Sequence, residues 1–220
     1  MSPTLCALPA ERLAPRLLGC VLKRDEVALR ITETEGYFWP GDSACHARAG
    51  RTARNAPMWQ RGGHAYIYLC YGLHHLLNVS CDREGIAAAV LIRAAEPLAG
   101  HDTIAARRGR PLAPSVLAGP GKVGQALALE TALSGHDLLR PGGLELMDGP
   151  RPAEILATPR IGIGYADPLD IARPLRFVVA GTKWVSKPKA LARSGRRSWP
   201  AAGGGRNRDD TPSAIVGRRG

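Results

Sequence analysis

H-A-Y-I-Y-L-C-Y-G, residues 64–72, is the stretch from which the fold class is read. At a period of two, Ala65, Ile67, Leu69 and Tyr71 share one face, and His64, Tyr66, Tyr68 and Cys70 share the other. The first face is mostly apolar and belongs in a core. The second presents rings with polar tips. Gly72 marks a turn and places Tyr71 at a strand tip. A second strand, residues 73–81, returns with Leu77 and Val79 alternating with Asn78 and Ser80. A third, residues 86–94, is almost continuously apolar until Arg93. A buried arginine has either a partner or a task; Glu96 stands close enough in sequence to be the partner.

Upstream, Leu13, Leu17, Leu18 and Val21 recur at helical spacing and predict a helix over 13–22, with Pro15 tolerated in its first turn. Residues 23–26 read as a charged turn, and 27–34 as a strand. Val27, Leu29 and Ile31 form an apolar row that Glu33 and Glu35 continue. Aromatics (Tyr37, Phe38, Trp39), a Pro-Gly break and His46 follow at once. A carboxylate, an imidazole and rings close together suit a site for a flat ring; a solvated strand end before an ordinary loop is the plainer account.

Downstream, residues 47–63 form a loop with four arginines (Arg48, Arg51, Arg54 and Arg61), and 101–114 is basic again. Residues 118–129, A-G-P-G-K-V-G-Q-A-L-A-L, place glycines at a helix start, where free N–H groups and Lys122 could meet a phosphate. It is not a Walker loop, since Val116 and Val123 replace the required Gly and Ser/Thr. Short strands are predicted at 144–147, 159–164 and 175–179.

The net charge of +11 points to a polyanion, with nucleic acid ahead of membrane because no basic amphipathic helix stands out. Residues 186–220 carry nine of the thirty Lys and Arg and two of the nineteen Asp and Glu, so +7 of that excess lies in the tail. From about Lys189 periodicity disappears, which predicts a basic, disordered tail over 189–220. Five widely spaced cysteines, with no C-x-x-C and no H-E-x-x-H, predict free thiols in a reducing compartment and no zinc site. No secretory signal opens the chain and no stretch has the length of a membrane span, so a cytoplasmic location is expected.

Taken in order, E-T-E-G-Y, G-D-S-A-C-H, G-R-T-A-R-N, G-H-A-Y-I-Y-L-C-Y-G, L-L-N-V, V-L-I-R-A-A-E-P, G-P-G-K-V-G-Q-A-L and P-L-R-F-V-V-A-G resemble the 3-methyladenine DNA glycosylases of the alkyladenine type. The resemblance runs from about Leu13 to Pro188. It implies a single glycosylase domain over 1–188 with a curved, mostly antiparallel sheet flanked by helices, an α/β (α+β) fold. It implies a base-excision enzyme that flips alkylated or deaminated purines out of double-stranded DNA and hydrolyses the glycosidic bond, as a monomer with no cofactor. By position, Glu35 matches the family's water-activating base and Arg93 an arginine that orients the water. Tyr37, His46 and Tyr68 match the base pocket, Asn78 its floor, and Tyr71 the ring that wedges into the duplex. Arg51, Arg54 and Lys122 are expected on the DNA backbone. Gly36 stands where the family usually has Ala, and Cys45 where it often has Ser or Ala. Two other readings compete: a helix-hairpin-helix glycosylase built on residues 119–124, and a basic nucleic-acid-binding module without catalysis.

Overall fold

A computed structural model describes residues 1–186 and the backbone of residues 197–199. Two short helices, α1 (Pro3–Cys6) and α2 (Ala10–Leu13), open the chain. Five strands follow: β1 (Val21–Arg24), β2 (Val27–Trp39), β3 (Ala65–Cys70), β4 (His74–Ser80) and β5 (Ala87–Ala99). Then come α3 (His101–Arg108), α4 (Pro120–Ala126), β6 (Leu144–Met147), β7 (Ile155–Thr158), α5 (Pro168–Ala172), β8 (Arg176–Val179) and β9 (Arg197–Trp199). All nine strands join one antiparallel sheet in the order β3-β4-β5-β2-β8-β7-β9, with β1 between β2 and β6. This is the curved α/β domain expected. With α4 only seven residues long, the all-helical hairpin reading is discarded. The tail expected over 189–220 lies outside the described residues, except for β9, which pairs with β7.

The helix predicted over 13–22 is replaced by one turn of α2, a 3-10 turn at Ala14–Leu17 and strand β1. Pro15 cannot donate to a continuing helix, and Gly19 turns the chain with φ 89°. Leu13, Leu17 and Leu18 are nonetheless fully buried, so their spacing reported the core rather than the helix. The turn is shorter than expected: Lys23 and Arg24 belong to β1, and Asp25 and Glu26 close its hairpin with β2. Residues 101–108 fold as α3, and the strand expected at 159–164 sits earlier, at β7. Pro159 and two glycines leave 159–164 as a loop.

Strands β2 and β5 run side by side for most of their lengths and form the spine of the sheet. Their register shifts between Ile31 and Thr34. That irregularity overturns the expected continuation of the apolar row into Glu33 and Glu35. Leu29 and Ile31 lie in the main core, and beyond the shift so does the side of Thr34, Gly36 and Phe38. Thr34 Oγ1 donates to Ala14 O at 2.8 Å, and a Cβ on Gly36 would meet Ala10 O at 3.1 Å. Glu33, Glu35 and Tyr37 are thereby thrown onto the opposite face. On β5 the alternation runs unbroken to Arg93: Ala88, Val90 and Ile92 face the core, while Ala89, Leu91 and Arg93 line the opposite side. A bulge that re-aims side chains is a recurrent device beside functional sites. The close approach of α2 leaves little room for a Cβ at Gly36.

Candidate active site

The re-aimed face of β2 and the adjoining face of β5 form one wall of a cavity of about 450 Å³. Tyr37, His46, Tyr66, Tyr68, Asn78 and Arg93 line it, with Tyr165 from the loop after β7. Such a volume suits a small organic ligand. Its rings are mutually ordered. His46 lies edge-on to Tyr68 at 4.7 Å between centroids, and Tyr66 and Tyr68 are tilted at 5.4 Å. His46 Nδ1 and the Tyr66 hydroxyl are 2.9 Å apart. Asn78 Nδ2 donates to the Tyr66 carbonyl at 3.0 Å, which locks its amide across the β3–β4 pair.

Glu35 is fully buried and stands one layer behind the cavity wall. Its Oε2 accepts the Tyr37 hydroxyl at 2.7 Å and Arg93 Nη1 at 3.1 Å; its Oε1 accepts the Ile161 backbone N–H at 2.7 Å. All three donors belong to residues that line the cavity. Arg93 therefore pairs with Glu35 and with Glu33, whereas Glu96 pairs with Arg30 at 3.0 Å. Below Tyr37 lies a second ion pair. Arg160 grips Asp42 through both terminal nitrogens, at 2.6 and 2.8 Å, donates to the Gly36 carbonyl, and stacks on the Tyr37 ring at 4.7 Å.

Burial sets the protonation of this pocket. It pulls the His46 imidazole down to about 4, helped by Arg54 and Arg48, so the ring is neutral near pH 7. Burial pushes the Tyr66 phenol up to about 12 and the Tyr68 phenol higher still. Tyr37 is raised by burial and by the Glu35 carboxylate it bonds. Burial opposes the charge on Arg93, but Glu35 and Glu33 more than offset it and hold the guanidinium above its ordinary value. The thiols of Cys6, Cys20 and Cys45 are pushed up to about 11 by burial, which leaves them poor nucleophiles. Cys45 accepts the Ala47 N–H and so caps the 3-10 turn that carries His46, the work a serine would do there.

Beside the cavity the β3–β4 hairpin projects outward. Leu73 N–H donates to Cys70 O at 3.0 Å, closing a turn whose central residues, Tyr71 (φ 51°) and Gly72 (φ 68°), are both left-handed. Glycine takes that conformation freely; a tyrosine does not. Tyr71 is 92% exposed and Leu73 76%.

The other expected residues are placed as follows. Arg51 is exposed in the loop after His46. Arg54 reaches the cavity wall and lies over the Tyr68 ring at 5.0 Å. Lys122 donates to Ser115 O at 2.8 Å near Arg108 and Arg110. The glycines of 118–129 serve packing: a Cβ on Gly124 would sit 1.9 Å from His75 O, so α4 can rest on β4 only with glycine there. Tyr66 shares the ring-bearing face of the 64–72 alternation, but no motif marks it as a site residue. Ile161 and Tyr165 carry no periodic signal and come from a loop.

A profile of methylpurine-DNA glycosylases matches residues 4–183 of this chain. The chain belongs to that family. A DNA-3-methyladenine glycosylase of Arabidopsis thaliana is 54% identical over 191 residues, 86% of this chain and 75% of the relative. A protein of Nitrosococcus oceani with a provisional 3-methyladenine DNA glycosylase name is 50% identical over 84% of this chain and 92% of its own length. A third, from Methanocella arvoryzae and similarly named, is 44% identical over 81% of the chain.

Proposed function

We propose that this member of the family removes N-alkylated purines, 3-methyladenine foremost, and deaminated purines from double-stranded DNA by hydrolysing the N-glycosidic bond. One observation carries the reading: a buried carboxylate, Glu35, is held by two side chains that themselves line a ring-walled cavity.

A base stacked in a duplex cannot reach that cavity, so it must be extruded at a cost of roughly a few kcal/mol. Tyr71 is the ring that fills the hole; it projects from a rigid turn and stacks on bases for about 1–3 kcal/mol. Tyr37, His46 and Tyr68 hold the extruded purine. An alkylated purine carries positive charge, and tyrosine faces favour it over a neutral one by roughly 0.5–2 kcal/mol. A neutral His46 adds no opposing charge. Asn78 meets the base edge and discriminates against guanine. Arg51, Arg54 and Lys122 take the phosphates.

An alkylated purine is already a good leaving group, so the protein needs mainly a placed water. Glu35 takes its proton while Arg93 orients it, and the nearby negative charge supports an oxocarbenium-like sugar. Because Glu35 lies behind the wall, the water meets it where the Tyr37 hydroxyl or the Ile161 N–H now sits, and one of these gives way. Among the described residues no lysine lines the cavity to form a Schiff base, and the reading is of an abasic site left in an uncut strand.

Glu35→Gln tests the reading. Binding to lesion-containing duplex should persist while single-turnover base release falls by about 100- to 10,000-fold. Release at the wild-type rate would remove Glu35 from the chemistry. Binding with no purine released by the wild-type protein would favour the non-catalytic module instead.

A further inference from the structure

Glu33 is a second fully buried carboxylate, and no step above uses it. Its Oε1 accepts Arg176 Nε at 2.6 Å, Ser186 Oγ at 2.6 Å and Arg93 Nε at 3.2 Å. Its Oε2 accepts the Ser186 backbone N–H at 2.6 Å. Arg176 is tied in turn to Thr158 Oγ1 at 3.3 Å and to the Ser186 carbonyl at 2.8 Å. Of this group only Arg93 reaches the cavity.

Arg93 thus lies between two carboxylates and gives each a different nitrogen: Nε to Glu33 and Nη1 to Glu35. A guanidinium facing one carboxylate alone settles into a two-pronged contact, with parallel N–H groups on both oxygens. Here the pull of Glu33 on Nε prevents that. Only a single, end-on contact with Glu35 remains, and Nη2 is the edge left for the cavity.

We propose that Glu33 is a positioning residue for base release: it holds Arg93 off a two-pronged clasp of Glu35 and leaves that carboxylate able to receive a water. Arg176 and Ser186 are its anchors. The segment just before the tail is thereby coupled to the site. The proposal rests on the reading of Glu35 and Arg93 given above. It differs from a stability role because the expected loss runs through Arg93 alone.

A double-mutant cycle on the full-length protein tests it, with single-turnover release and lesion-duplex binding as readouts. Glu33→Gln should slow release about 100-fold, the loss typical of a reacting group misplaced by an ångström, with duplex affinity near wild type at a temperature well below the variant's melting point, which falls because buried Arg176 loses its carboxylate. In an Arg93→Met background the same change should bring no further loss. Wild-type release by Glu33→Gln, or a full and independent loss in the Arg93→Met background, would overturn the proposal. Should Glu33→Gln fail to fold, Ser186→Ala loosens the anchor without uncovering a charge. It should slow release about three- to tenfold, the worth of one hydrogen bond, and again only when Arg93 is present; an unchanged rate overturns the proposal. Glu35→Gln run alongside separates the two ideas. If that variant releases base normally, the site reading fails whatever Glu33 does. If it is inactive and Glu33→Gln is not, only the positioning role fails.

Discussion

Two regions of this molecule reverse the usual arrangement of a folded chain, and in opposite senses. At the centre of the sheet, Glu33, Glu35, Asp42, Arg93, Arg160 and Arg176 are all buried. At the hairpin tip, Tyr71 and Leu73 stand in solvent. Buried charges are costly and are tolerated when paired and hydrogen-bonded. Exposed apolar groups on a rigid tip are costly in another way, since they offer an adhesive surface. Both regions border the same cavity. The buried charges form a floor that cannot move without unpairing an ion. The tip is an exposed probe at the edge of that cavity. The contrast separates what should stabilise the protein from what should grip the ligand.

Breaking the floor should have the larger effect on stability. Arg160→Leu leaves Asp42 buried without its cation and strips the outer face of Tyr37, so a loss of about 3–5 kcal/mol is expected. Chemical denaturation would show it, and a loss below about 1 kcal/mol would mean that Asp42 finds another partner. The tip should behave in the reverse manner. Tyr71→Ala should leave the melting temperature within a degree or two, because the ring is exposed and alanine keeps the same left-handed strain. Binding to lesion duplex should weaken by about 1–3 kcal/mol. Binding of the free alkylated base should barely change; equal losses on both would end the wedge assignment.

The smallest effect concerns the ring wall between the two regions. His46 titrates at about 4 in the folded protein against 6.5 for a free imidazole. The folded value is depressed, so the unfolded chain takes up the proton first. Stability from this group is fully present above pH 6.5 and is lost as pH falls toward 4. Thermal denaturation across that window should slope less steeply in His46→Gln than in the parent. An identical slope would assign the pH dependence to other groups.

Several of these features could be read directly. The β3–β4 hairpin and its tip followed from strict alternation ended by Tyr71-Gly72. Arg93 was marked by a lone charge in an apolar run. Its partner was not legible: the nearby Glu96 pairs with Arg30, and the true partners lie some sixty residues upstream on the adjacent strand. The leucines of 13–18 carry a helical spacing because burial at a spacing of three to four is shared by a helix and by a compact turn. Ile161 and Tyr165 escaped because a loop has no period to betray it.

Alternation, turn residues and ordered motifs, all local in the chain, were enough to determine a strand-rich domain, its projecting ring and the ring-bearing residues that wall the cavity. Local pattern could not decide on which side of the sheet Glu33 and Glu35 would emerge. Strand periodicity is two, so one irregular residue reverses every side chain after it, and the register shift near Thr32 is a matter of pairing between β2 and β5. Only that pairing turned the continuation of an apolar row into the charged floor of a cavity.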